Sequence, residues 1–86
     1  MSHKLDTEFR QAAVRVKSLT ARPTDTNLLQ LYSLYKQATV GDNNMGKPGM
    51  FNLKNRKKWE TWTSKKGMSS EEAKKRYCRL VRILIR

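Results

Sequence analysis

Eighty-six residues with 19 Lys+Arg against seven Asp+Glu carry a formal charge of +12, at 37% hydrophobic content. That is apolar enough for one small globular domain with a modest core, and it argues against a disordered chain. One cysteine and one histidine exclude an internal disulfide framework and a Cys/His metal cluster; a reducing compartment is expected. No apolar run reaches the roughly 18 residues of a membrane span, and the first residues hold no secretory h-region. A soluble, cytoplasmic binding module is therefore expected, with residues 1–86 as a single domain.

The first helix is expected from about Leu5 to Leu19. Phe9, Ala12, Ala13, Val16 and Leu19 share a face at about 100° per residue, and Pro23 breaks the pattern beyond it. His3 is expected close to a frayed terminus. A second helix runs from about Asp25, capped by Thr24 or Asp25, to Val40, and Gly41 closes it. Leu28, Leu29, Leu31, Tyr32, Leu34, Tyr35 and Ala38 lie almost all round it. Such a helix sits centrally in a bundle or reserves one face for a ligand.

Residues 41–51 (GDNNMGKPGMF) read as a loop. The third helix is expected from about Lys54 to Lys65, with Trp59 and Trp62 on one side, and Gly67 ends it. Ser69 and Glu72 then form an S-x-x-E capping box. The last helix continues to about Ile85 with Ala73, Tyr77, Leu80, Val81 and Leu84 as its apolar stripe. Nothing alternates with period two, so the expected architecture is an all-α four-helix bundle.

Two motifs fail on inspection. Gly41-x4-Gly46-Lys47 lacks the Ser or Thr of a phosphate loop, because Pro48 follows the lysine, and a helix precedes it where a strand is needed. Asp42-Asn43-Asn44 starts like a calcium loop, yet Leu53 occupies the place of the bidentate glutamate. Cys78 has no histidine to activate it, and Glu71 and Glu72 belong to a helix first turn. The residues point away from an enzyme and imply neither a metal nor a cofactor. Tyr32 and Lys36, four apart on a helix face, combine a ring with an ammonium, which suits a phosphate beside an aromatic base, although for an isolated pair the commoner arrangement has Tyr32 and Tyr35 packed and Lys36 solvated. Lys54, Arg56, Lys57 and Lys58 add a basic cluster at the start of the third helix, by default a solvated face.

YSLYKQATVGD at residues 32–42, followed by PGMF and KWETW, resembles the acyl-CoA-binding protein family, also called the diazepam-binding inhibitor family. The resemblance spans nearly the whole chain without a gap, from Phe9, Ala13, Val16 and Leu19 through Lys66-Gly67 to Tyr77. It implies an up-down-down-up four-helix bundle that holds long-chain acyl-CoA esters without transforming them, as a monomeric intracellular carrier and buffer. By matching positions, Tyr32, Lys36 and Lys58 would hold the 3′-phosphate of the CoA adenosine, with Ser33 in the same segment. Tyr35 would pack against the nucleotide, Lys17 and Tyr77 would serve the head-group site, and Leu28 and Leu29 would line the acyl path.

Leu34 stands where a histidine is common between the paired tyrosines, and family members are near neutral or acidic. Here residues 51–86 alone carry 12 Lys+Arg and three Asp+Glu, or +9. Lys75, Arg79, Arg82 and Arg86 repeat along the last helix opposite its apolar stripe, a surface suited to weak contact with anionic membrane. Charge alone also supports a rival reading, a nonspecific basic nucleic-acid-binding helical module; no specific nucleic acid is expected.

Overall fold

The computed structural model describes residues 3–85. Four α-helices follow in chain order: α1 (His3–Arg15), α2 (Asp25–Thr39), α3 (Leu53–Thr63) and α4 (Ser70–Ile85), and the described residues contain no strand. α4 packs on both α1 and α2, and α3 packs chiefly on α2. Asp6 meets Lys74 and Phe9 meets Tyr77, so α1 and α4 run parallel. The C-terminal end of α2 meets the N-terminal end of α4, where the Ser70 hydroxyl donates to the Ala38 carbonyl. Tyr32 faces Lys58 and Lys36 faces Trp62, so α2 and α3 run in the same direction. The order is up-down-down-up, as expected.

Local chemistry explains the helix ends. The Thr24 hydroxyl accepts from the Asn27 amide at 3.1 Å, satisfying one of the free donors at the start of α2. Gly41 and Gly67 close the turns after α2 and α3 with φ of 99° and 90°, a region that side-chain-bearing residues rarely enter. Three expectations change. α1 is α-helical only to Arg15, and Val16–Ser18 tighten into a 3-10 turn in which the Ser18 hydroxyl bonds the Arg15 carbonyl. Leu19 is already extended, ahead of Pro23. His3, expected near a frayed end, is the first residue of α1. Only one arm of the capping box forms: Ser69 accepts from the Glu72 amide, but the Glu72 carboxylate turns to Arg76 Nε at 2.7 Å.

The core lies where α1, α2 and α4 meet: Phe9 and Ala12 from the first, Leu31, Leu34 and Ala38 from the second, and Ala73, Tyr77, Cys78 and Val81 from the last. Phe9, Ala12, Ala73, Tyr77 and Val81 come from the expected stripes, whereas Ala13, Val16, Leu80 and Leu84 pack against this core only partly buried and Cys78, beside the α4 stripe, lies inside it. Trp62 brings α3 onto α2 and donates its indole N–H to the Gly41 carbonyl at 2.8 Å.

The chain between α2 and α4 is held by polar contacts. Asp42 Oδ1 accepts from Gln37 Nε2 at 2.8 Å and from the Gly67 amide at 2.9 Å. Buried Gln37 also donates to the Met68 carbonyl. The Gly67 amide first, then the Gln37 amide, lowers the Asp42 carboxyl below its ordinary 3.8.

Two outcomes follow. Leu34→Ala removes a 4%-exposed side chain from the three-helix junction and is expected to lower unfolding free energy by about 2–5 kcal/mol. Val14→Ala, on the open face of α1, should stay within about 0.5 kcal/mol, both variants being compared with wild type by urea titration. Because the Asp42 pKa is depressed in the folded state, its contribution is complete above 3.8 and is lost as pH falls through the folded value. The stability gap between wild type and Asp42→Asn should therefore shrink on acidification below that value, as followed by thermal melts across pH.

Candidate functional site

Being apolar on almost every side, α2 cannot bury all of itself in one core. Leu31, Leu34 and Ala38 face α1 and α4, whereas Leu28, Leu29 and Tyr32 turn toward α3 and stay only half-buried. α3 approaches α2 without closing on it at that end. A groove of about 510 Å³ remains, its floor made by Leu28, Leu29, Tyr32 and Leu53. Lys54, Lys57 and Lys58 stand on one side, with the exposed Arg22–Asp25 pair at its edge.

Tyr32 and Lys58 form the end wall, and both also line an adjoining pocket of about 210 Å³ with Trp59, Trp62 and Pro48. Lys58 Nζ lies 4.6 Å from the Tyr32 ring centroid, and Lys36 Nζ lies 5.3 Å from that of Trp62. Ammonium groups over ring faces are held in place while keeping donors free for an anion. An apolar trough thus ends at a cluster of two lysines and two aromatic rings.

The nine residues singled out from the sequence fall into separate places. Leu28, Leu29, Tyr32 and Lys58 line the groove, and Lys36, which lines neither pocket, lies over Trp62, a wall of the adjoining one. Tyr35 and Tyr77 meet on the opposite side of α2. Tyr35 stacks on Phe9 at 5.5 Å, and Tyr77 meets Phe9 edge-on at 5.2 Å and Tyr35 at 5.9 Å. Tyr35 leaves part of its ring open to solvent, but Tyr77 is a core residue. Burial pushes the Tyr77 phenol up to about 12, with Tyr35 adding to it, so Tyr77 stays protonated at neutral pH.

Lys17 is exposed on the 3-10 turn and lines neither pocket. Ser33 departs from expectation. It is fully buried and its hydroxyl donates back to the Gln30 carbonyl at 3.1 Å, so its side chain offers nothing to the groove. Position beside Tyr32 in sequence turns it about 100° away on the helix.

Some groove residues escaped the sequence reading. Leu53 lies between the expected loop and the expected helix and is the first residue of α3, and Lys54 and Lys57 read by default as a solvated charge run. The available signal was a leucine directly before a basic helical turn, opposite an over-apolar helix. The tryptophans also do more than pack: Trp59 donates to the Met45 carbonyl at 2.8 Å, so the indoles fasten the loop to α3.

Cys78 is buried in the core, and burial followed by the nearby Glu8 carboxylate raises its thiol above the ordinary value. That environment disfavours the thiolate a nucleophile needs. Among the described residues no three His, Cys, Asp or Glu side chains converge as metal ligands, and no helix is long and apolar enough to cross a membrane.

Comparison with known proteins agrees with this geometry. The family model for "Acyl CoA binding protein" matches residues 6–81. The chain is 53% identical over 78 residues to the acyl-CoA-binding protein homolog of Drosophila melanogaster, covering 91% of each. It is also 53% identical over 77 residues to the acyl-CoA-binding protein of Saccharomyces cerevisiae, covering 90% of this chain and 88% of that one. The crystal structure of Oryza sativa acyl-CoA-binding protein 2 superposes with a TM-score of 0.88 at 45% identity, covering 93% of this chain and 89% of the other. The solution structure of the yeast acyl coenzyme A binding protein gives 0.73 at 53% identity, covering 90% of each. With the family model spanning most of its length and close relatives aligned nearly end to end, the chain belongs to the acyl-CoA-binding protein family.

Proposed function

We propose that this protein binds long-chain acyl-CoA esters non-covalently and acts as a monomeric cytoplasmic carrier and buffer for them. The observation that carries the reading is the groove between α2 and α3, apolar along its floor and cationic at its aromatic end. Its volume of about 510 Å³ lies within the ~300–1,000 Å³ usual for small-molecule sites. The ligand matches that polarity, with a hydrocarbon tail at one end and about four negative charges at the other.

In this reading the tail lies on Leu28, Leu29 and Leu53. Lys58 and Lys36 donate to the 3′-phosphate, with Tyr32 beside them as an aromatic wall. Tyr35, Tyr77 and Lys17 contribute to the head-group site across α2, Tyr77 chiefly by holding the Tyr35 ring through the Phe9 cluster. Burying about ten methylenes at about 0.8 kcal/mol each supplies on the order of 8 kcal/mol before ordering costs. The acyl chain accordingly sets affinity and the lysines set orientation. A buried, unpaired cysteine fits a reducing compartment. The basic nucleic-acid module gains no support, because its one argument was charge and the groove is built for an apolar guest.

Titration calorimetry should show one palmitoyl-CoA per chain, bound at least about 100-fold more tightly than free CoA, given the apolar burial. Equal affinities would mean that no acyl groove operates. Lys36→Ala and Lys58→Ala should each weaken palmitoyl-CoA binding by more than about 1.5 kcal/mol, the scale of hydrogen bonds to charged groups. Lys75→Ala, on the outward face of α4, should change it by only about 0.3 kcal/mol, with all three variants folded by thermal melt.

A further inference from the structure

The loop between α2 and α3 carries an apolar tip that the fold leaves uncovered. The Asn52 amide donates to the Gly49 carbonyl at 3.0 Å, closing a turn with Met50 and Phe51 as its two central residues. Turn tips ordinarily carry Gly, Asn, Asp or Ser, which solvate well or adopt special backbone angles. Here Phe51 is 94% exposed and Met50 66%, with Leu53 at 66% one residue beyond the turn. Large apolar side chains gathered at one protruding point mark an interaction site.

The tip is presented, not trailing. Asn43 Nδ2 donates to the Trp59 carbonyl and to the Thr63 hydroxyl, Asn43 Oδ1 accepts from the Met45 amide, and Trp59 donates to the Met45 carbonyl. These bonds hold the first half of the loop along α3.

Charge along the loop and the first turns of α3 is of one sign, the nearest acidic side chain in the groove wall being Asp25, which pairs with Arg22. Between Asn43 and Trp59 the chain has Lys47, Lys54, Arg56, Lys57 and Lys58 and no acidic residue. We infer that the Met50–Phe51 turn and the basic side chains that flank it in the chain form a docking surface for an anionic lipid bilayer, the Phe51 ring and Met50 thioether entering the headgroup boundary while the lysines meet lipid phosphates and carboxylates. Interfacial binding combines those two components, apolar insertion and attraction to anionic lipid. A second copy of this chain is the poorer occupant, since pairing would bring two basic tips together in a molecule of +12. The outward face of α4 offers charge through Lys75, Arg79 and Arg82, but Ile83 is its exposed large apolar residue. The two components coincide at the loop.

Leu53, Lys54, Lys57 and Lys58 belong both to this surface and to the wall of the groove. Docking therefore sets one rim of the groove against the lipid boundary, where an acyl chain can pass between bilayer and groove with less exposure to water. That consequence rests on the acyl-CoA reading; the docking itself does not.

The experiment is co-sedimentation of the full chain with vesicles of phosphatidylcholine alone or with about 30 mol % phosphatidylserine, at low and high salt. Expected are partition only into the anionic vesicles, weakened by salt, and a loss of about tenfold or more for Met50→Ser/Phe51→Ser, because the inserting component is gone. Arg79→Glu/Arg82→Glu should retain most of the partition. An environment-sensitive dye on Phe51→Cys, in a Cys78→Ala background, should shift to the blue with anionic vesicles. No partition by the wild type, or unchanged partition for Met50→Ser/Phe51→Ser, overturns the docking surface. So does loss of partition on reversing α4 alone. Self-association in lipid-free sedimentation that Met50→Ser/Phe51→Ser abolishes would assign the tip to a second copy instead. Palmitoyl-CoA calorimetry on Met50→Ser/Phe51→Ser should match wild type. Vesicle binding by a wild type that fails to bind palmitoyl-CoA would uphold the docking and remove the acyl-CoA reading.

Discussion

Asp42 Oδ1 takes hydrogen bonds from the Gln37 side chain within α2 and from the Gly67 amide, 25 residues on, in the turn before α4. Around it the Gly41 carbonyl receives the Trp62 indole, the Met68 carbonyl receives Gln37, and the Ala38 carbonyl receives Ser70. Carbonyls at the C-terminal end of a helix have no partners within it, so this end of α2 is rich in acceptors. The protein uses them to gather α3 and α4 at one point. Once α3 is pinned near Trp62 and follows α2 in the same direction, its opposite end must lie near Leu28 and Leu29. The groove is the space left between the two helices at that end.

A groove of this kind leaves apolar surface open, which a helix shared between two environments can sustain. The stripe of α2 that faces α1 and α4 supplies the buried contacts, leaving Leu28, Leu29 and Tyr32 free for a guest. The lysines at the end of the groove rest on ring faces instead of carboxylates. A carboxylate partner would compete with an anionic ligand, whereas a ring holds the ammonium and leaves its donors available. Asp25, the acidic residue that lines the groove, pairs with Arg22 at its edge, while Asp6 pairs with Lys74 between α1 and α4, Glu72 with Arg76 along α4, and Asp42 is held at the junction.

The surplus of positive charge has two distinct settings. Along α4 it is the solvated side of an amphipathic helix whose other side is core. Around the α2–α3 loop it surrounds exposed Met and Phe side chains and continues into the groove wall. Equal charge thus has different consequences, since attraction without apolar contact is screened by salt and has no preferred depth or orientation.

Four helices, the Thr24 and Ser69 caps, the closing glycines and much of the core stripes of α1 and α4 are legible in the sequence because they depend on neighbours within four residues: Thr24 before Asn27, glycines after α2 and α3, and apolar side chains at helical spacing. The family pattern in residues 32–42 and 58–62 likewise identified Tyr32, Lys36 and Lys58 as companions. Only the tertiary structure decided which face of α2 the core would cover, and so that Leu28 and Leu29 line a groove while Leu31 and Leu34 do not. It also decided that Ser33 turns inward, that Tyr35 and Tyr77 meet through Phe9, and that Glu72 pairs with Arg76 and not its cap. Even the apolar tip at Met50–Phe51 reads in sequence as an ordinary loop end. Periodicity reports that a side chain is apolar and where it points on its own helix; whether another segment arrives to cover it is set by contacts between residues far apart in the chain.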